Sequence, residues 1–294
     1  MSSIEAKIGV STIVLYERPE WDMMKAIEEV SKAGFKGFEI HLDDFHGCIG
    51  DPWMIRFPGV WPRTCSASFR RELKDALKVF ETVTLHGTCF EVNIAAENPG
   101  LREEGVRQYV EALEFAAELG IPTVTFHMGG PAHILCDPEK VYARNLEFAK
   151  RATAFAEKHG LSIGYENGGS IDLFKRYIKD VNSPAFGLLW DIGHATMHKG
   201  GNTGVALRWA EAFRGQMVEI HAHNVLGWTA NMSILDHHGF EEGTFLDMRA
   251  IFRKVKQIGY DRPIIFEILG PRAHPALDKC KRAKEIILDV WDEA

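Results

Sequence analysis

No stretch of this 294-residue chain approaches 18 consecutive apolar residues, so no membrane-spanning helix is expected. The apolar run Ile8 to Leu15 has neither a basic leader nor a small-residue cleavage site, which argues against a secretory signal. Cysteine is sparse: the five, at 48, 65, 89, 136 and 280, are odd in number and contain no Cys-x-x-Cys spacing, so neither a disulfide framework nor a zinc knuckle is indicated. A reducing, cytoplasmic setting is the expectation. Basic charge is also short, 34 Lys and Arg against 41 Asp and Glu, and the net −7 speaks against a nucleic-acid binder that depends on broad phosphate neutralisation. The one basic cluster, Lys279, Lys281, Arg282 and Lys284, reads as a solvated helix face. No Gly-rich phosphate loop stands out; Gly168-Gly169-Ser170 before a helix reads as an ordinary N-cap that could also receive an anion. No repeat and no Ser/Gly/Pro-rich linker divides the chain, so residues 1–294 are expected to form a single domain.

What is present is an alternation. Eight short, β-rich apolar runs recur: Ile8–Val14, Gly37–His41, Val83–His86, Thr123–His127, Ser162–Glu166, Phe186–Asp191, Val218–His223 and Pro263–Glu267. Helical patterns lie between them, with the punctuation helices need. Pro19 fits a first turn and Gly34 a position just past a C-terminus; Gly120, Gly160, Gly215 and Gly259 end further helices. Asp137-Pro138 pairs an N-cap acceptor with a residue that lacks the N–H otherwise left unsatisfied. A helix is also expected from about Ser170 to Asp180. Eight βα units with nothing left over suit closure into an α/β (β/α)8 TIM barrel better than a doubly wound sheet. The longest insertions, His41 to Ser66 with Trp53 and Trp61, and Asn224 to Thr244 with Trp228, both follow strands and would overlie the C-terminal face.

The ionisable residues fall at the ends of these runs: Glu39 with His41, His86, His127, Glu166, Asp191 with His194, His221 with His223, and Glu267. Singly, each is most simply a hydrogen-bonded loop residue. A parallel barrel gathers all of them onto one rim, where so many carboxylates would repel one another unless a cation lay between them. Asp191-Ile-Gly193-His194 sets an acid and a histidine about a turn, His221-Ala-His223 puts two imidazoles on one side of a strand, and Asp236-His237-His238 follows in the next loop. Mixed nitrogen and oxygen donors of this kind suit a divalent metal such as Mn, Zn, Co or Fe, with Mg also compatible.

In order and spacing these motifs resemble the xylose-isomerase-like barrels, the superfamily of sugar phosphate isomerases and epimerases related to endonuclease IV. The resemblance runs from Gly9-Val10-Ser11 through Gly37-Phe38-Glu39, His86 with Asn93, His127-Met-Gly129-Gly, Glu166-Asn167, Asp191-Ile-Gly193-His194, His221-Ala-His223-Asn224 and Asp236-His-His238 with Glu242-Gly243 to Glu267. It implies Glu166, Asp191, His221 and Glu267 as the principal metal set. It makes His86 and His127 ligands of an additional metal in the nuclease branch, and His194, Asp236 and His238 those of a third. In the isomerase branch the histidines often contact substrate instead. Endonuclease IV typically places Asn six residues after its His and a Tyr between them; here Asn93 lies seven after His86 and Cys89 replaces the Tyr. It also reads Asp-Thr-Cys-His where this chain has Asp-Ile-Gly-His. These departures favour the isomerase branch and leave Phe90 an ordinary rim aromatic. Asn224 stands where the family commonly has Asp.

The resemblance therefore implies an isomerase or epimerase of a small sugar, sugar phosphate or polyol ketone, transferring a proton through a metal-stabilised enediolate, with Glu166 and Glu267 as the catalytic pair. Glu39, His86, His127, His194 and His223 are the candidate substrate contacts; Glu39 could equally accept from backbone amides. The alternatives are an endonuclease IV-like phosphodiesterase on abasic DNA, a lyase or dehydratase on a cyclic polyol, and a non-catalytic metal-binding barrel. The expected partner is a small sugar-like molecule, without nucleic acid or membrane, and exposed barrel helices leave a homo-oligomer open.

Overall fold

The computed structural model describes residues 4–18, 20–44, 46–48, 54–56, 58–90, 92–131, 136–198, 200–227, 236–269 and 275–293. The strands, in chain order, are β1 (Ile8–Ser11), β2 (Gly37–His41), β3 (His46–Cys48), β4 (Met54–Arg56), β5 (Thr82–His86), β6 (Thr123–Phe126), β7 (Ser162–Glu166), β8 (Phe186–Asp191), β9 (Met217–Ala222) and β10 (Ile264–Phe266). Eight of them form one closed parallel barrel, in which β1 is bonded to β2 on one side and to β10 on the other; β3 and β4 make a separate antiparallel pair. Closure excludes the doubly wound sheet. The helices are α1 (Met23–Lys32), α2 (Ala67–Ala76), α3 (Pro99–Leu119), α4 (Pro138–His159), α5 (Ile171–Val181), α6 (Thr203–Ala212), α7 (Met248–Gln257) and α8 (Ala276–Asp292). Each packs an apolar stripe onto the barrel, as with Ile251, Phe252 and Val255 of α7.

Helix ends follow their chemistry. Asp137 accepts the Glu139 N–H at 3.0 Å ahead of Pro138, and α4 stops at Gly160 in the left-handed region, φ 70°. Ser170 caps α5 by accepting from Leu173, and Asn182 ends it at φ 51°. The start of α1 differs from expectation: Asp22 is the cap, accepting from Lys25 at 2.8 Å, and Pro19 lies outside the described residues. The first apolar run also divides, since β1 ends at Ser11 and residues Thr12–Glu17 turn as a 3-10 helix. The hydroxyl of Thr12 there accepts the His41 N–H at 3.0 Å, which ties the turn to the rim of β2.

Met217 and Met248 are core residues, and Trp190 and Trp209 are buried. Trp61 is exposed, whereas Trp53 and Trp228 lie outside the described residues. Lys279 does not belong to a solvated face: it is buried and ion-paired to Glu242 of the loop before α7. Among the described residues, no helix is long and apolar enough to cross a membrane.

One close approach fixes the barrel seam. A Cβ on Gly9 would fall 2.4 Å from the carbonyl carbon of Gly37, its backbone partner across β1 and β2. Neither backbone can yield without opening the ladder. Gly9→Ala is therefore expected to destabilise the protein by about 3 kcal/mol, the upper end of overpacking, read as a lowered denaturation midpoint.

Candidate active site

The barrel delivers the ionisable side chains by ending its strands on them. Glu166 and Asp191 are the last residues of β7 and β8, His221 lies one before the end of β9, and Glu267 follows β10. Asp191 sits directly opposite His221 in the ladder. Donor atoms of Glu166, Asp191 and His221 lie within 4.8 Å of one another, and those of Glu39, His221 and Glu267 form a second such group. His221 is common to both, its Nδ1 being 3.3 Å from Glu267 Oε2. All four side chains expected as the principal metal set are buried.

The residues present fit a divalent cation. Glu166 Oε2 and His221 Nδ1 are buried and meet titratable partners, His127 Nε2 at 2.6 Å and Glu267 Oε2 at 3.3 Å, whose protons a cation can replace. The donors are carboxylate oxygens and imidazole nitrogens, which suits a borderline or hard ion. Charge tells the same story. Burial pushes the Glu166 carboxyl up, but His127 and His194 beside it prevail and hold it well below the usual carboxylate range. Burial likewise opposes ionisation of Glu267, and His221 and His237 hold it well down. His221 is raised well above an ordinary histidine because Glu267 and Glu39 outweigh its desolvation. Carboxylates and imidazoles thus alternate, and a cation can take the place of the protons that balance them.

Around this core, His194 Nδ1 faces Glu166 Oε1 at 2.5 Å and its Nε2 faces Asp236 Oδ2 at 3.2 Å. His127 Nε2 is 2.6 Å from Glu166 Oε2, and His86 Nε2 is 3.5 Å from it; these three residues form a further donor group. His223 is oriented by its neighbours. The His237 N–H donates to His223 Nδ1 at 3.1 Å, and His223 Nε2 points at both oxygens of Asp191, at 3.0 and 3.1 Å. Asn167 holds the Asp191 backbone from both sides, accepting its N–H at 2.6 Å and donating to its carbonyl at 3.1 Å.

His238 is turned away from this group: its backbone pairs with Asn224 and its Nδ1 lies 3.3 Å from Glu242 Oε2. The middle histidine of the motif comes in instead. His237 is within 3.4 Å of Glu267 Oε2 and 3.1 Å of Asp236 Oδ2, and joins Asp191, His194 and His223 in a donor group. It has φ 56°, a left-handed turn that reverses which side chain faces inward and that the Asp-His-His string does not announce. Two further features were not legible in the sequence, the partners of the strand-end His41 and the placement of Glu219. His41 stacks on His86 with ring centroids 4.5 Å apart and lies between Asp43 Oδ2 at 3.1 Å and Cys89 Sγ at 3.6 Å. Glu219, two residues before His221, is wholly buried inside the barrel; the two-residue strand period was the signal available for it.

Gly193 is the hinge between Asp191 and His194. A Cβ there would lie 1.9 Å from His223 Cε1, so Gly193→Ala is expected to displace His223 from Asp191 and to lower metal affinity about 10- to 100-fold, measured by chelator competition.

A family model described as "xylose isomerase-like TIM barrel" matches residues 27–287. An uncharacterized protein of Methanocaldococcus jannaschii is 24% identical over 273 residues, 90% of this chain and 84% of that protein. Among solved structures, a D-tagatose 3-epimerase-like protein superposes with a TM-score of 0.73 at 22% identity, covering 97% of both chains. A xylose isomerase-like TIM barrel protein from Mycobacterium smegmatis in complex with magnesium gives 0.71 at 16% identity, covering 99% of this chain and 98% of that one. At these identities the structural likeness is one of fold.

Proposed function

The chain belongs to the xylose isomerase-like TIM barrel family, and from that premise we propose that it is a divalent-metal-dependent isomerase or epimerase of a small sugar, sugar phosphate or polyol ketone. The observation that carries this reading is His221, buried at the rim with Glu166 and Asp191 in one donor group and Glu267 in the other. Glu166, Asp191, His221 and Glu267 would hold the cation, which when bound polarises a carbonyl and stabilises negative charge developing on its oxygen.

Exposure sorts the surrounding residues. The side chains of His127 and His194 are 42% and 29% accessible, whereas those of Glu39, His221 and His223 are wholly buried and that of His86 nearly so. Substrate therefore meets His127 and His194, while Glu39, His86 and His223 stand behind the site. Glu166 removes a proton from the carbon beside the carbonyl as the electron pair shifts to the carbonyl oxygen. Glu267 returns a proton from the other side, relayed to it from the protonated His237 whose Nε2 lies 3.4 Å from its Oε2, and exchange with solvent after release takes the proton off Glu166 and restores that of His237. Return to the same carbon inverts that centre; return to the former carbonyl carbon moves the carbonyl along the chain. His127 and His194, in contact with both oxygens of Glu166, fix the carboxylate that does this work and set its basicity.

The His86, His127 and Glu166 donor group favours one other reading, a metal-dependent phosphodiesterase on abasic DNA. Incubating metal-loaded protein in deuterated water with ketoses, ketose phosphates and inositols, beside a nicking assay on an abasic duplex, decides between them. Deuterium uptake at a carbon adjacent to a carbonyl, with new stereochemistry or a moved carbonyl, is the expected result. Nicking without exchange on any sugar would replace the proposal with the nuclease reading, and net loss of water would point to a lyase.

A further inference from the structure

Barrel interiors at this depth are ordinarily filled by branched aliphatic side chains. Here the space beneath the rim holds two carboxyl groups, Glu39 of β2 and Glu219 of β9, both wholly buried. They converge on one atom: His221 Nε2 lies 3.2 Å from Glu39 Oε2 and 3.4 Å from Glu219 Oε1. The Thr84 hydroxyl of β5 holds the same two oxygens, 3.2 Å from Glu219 and 3.5 Å from Glu39. The remaining oxygens, Glu39 Oε1 and Glu219 Oε2, meet no hydrogen-bond donor, so the contacts that place these acids are those to His221, Thr84 and one another. The local backbone is arranged to bring Glu219 there. The β8–β9 ladder slips between Leu188 and Leu189, leaving Val218 unpaired, and resumes with Leu189 opposite Glu219. Such bulges re-aim side chains beside active sites.

We propose that Glu219 and Glu39 are positioning residues for His221: they hold its Nε2–H turned into the barrel, so that Nδ1 is presented bare to the cation at the rim. An imidazole can coordinate only through a nitrogen that carries no proton, and the partner of the other nitrogen decides which one that is. Nδ1 is the nitrogen directed at the rim, with Glu267, itself assigned to the cation, at 3.3 Å, and Nε2 is the one enclosed by the two acids beneath, Glu39 and Glu219. This rests on the proposed metal site and adds to it the device that sets its histidine.

Zinc affinity, measured by competition with a chromogenic chelator, tests it on the wild-type chain, Glu219→Gln, Glu219→Leu, Glu39→Gln and Glu39→Leu, each with its melting temperature. The amide oxygen of Gln still accepts from Nε2–H and Leu does not. The Gln variants are expected to bind zinc close to wild type, and the Leu variants about 10- to 100-fold more weakly. Leu variants that bind like wild type, or Gln and Leu variants equally impaired, would overturn the proposal. Nitrogen-15 spectra of the histidine-labelled, zinc-loaded wild type read the tautomer without any substitution: Nε2 protonation of His221 is expected, and Nδ1 protonation contradicts it. Failure of the wild type to bind zinc, manganese or magnesium would instead remove the metal site itself.

Discussion

Glu166→Gln is expected to lower turnover on a responsive ketose by about 10² to 10⁴-fold, the range supplied by a positioned general acid or base. The substitution preserves shape. Gln keeps an oxygen for one of His194 and His127 and turns its NH2 toward the other, so the rim packing and the fold survive and the melting temperature stays near wild type. What disappears is a carboxylate able to take a proton from carbon. Because Glu166 is also assigned to the cation, the comparison belongs at saturating metal with occupancy measured in the same sample; a loss of kcat at full occupancy isolates proton transfer. Glu267→Gln should behave alike on turnover, and its deuterium exchange should separate the roles. A variant that still exchanges substrate hydrogen but forms no epimer has lost the returning group, whereas one that does neither has lost the abstracting group. Near-wild-type activity from both variants would remove the pair from the mechanism.

Stripping the metal is expected to have an effect at least as large. Without a cation, nothing but protein dipoles and protonated imidazoles opposes charge developing on the substrate oxygen, and the imidazoles already answer Glu166 and Glu267. Activity after chelation and desalting should fall to background and return on adding one of Mg, Mn, Co, Fe or Zn. The fold should persist, since a continuous apolar core surrounds the barrel. Full activity in protein shown by elemental analysis to be metal-free would end the metal mechanism.

Much of this arrangement is legible in the sequence. Strands that must be buried on both faces read as short apolar runs, and those runs end on Glu166 and Asp191 because a barrel points every strand end at one rim. Glycine and Asp-Pro signals likewise marked the ends of α3 and α4. What escaped depends on long-range geometry. Pairing across the barrel, not local pattern, makes Val218 a bulge, while Glu219 shares the inward face of His221 by the two-residue strand period. A single left-handed residue brings His237 in and takes His238 out. Lys279 reads as surface because a lysine on an amphipathic helix usually is, and it is buried because Glu242, 37 residues away, reaches it. Glu39, set by sequence among the candidate substrate contacts, lies against a neighbour 182 positions on, His221, which no local pattern could show.

The most direct measurement is the metal content of purified, dialysed protein by elemental analysis, compared with that of Asp191→Ala and His221→Ala. The expected result is bound divalent metal in stoichiometric amount on the wild type and its loss from both variants, while their circular dichroism remains that of a folded barrel. Wild-type protein that takes up no divalent ion even when it is supplied, or variants that retain full occupancy, would contradict the account.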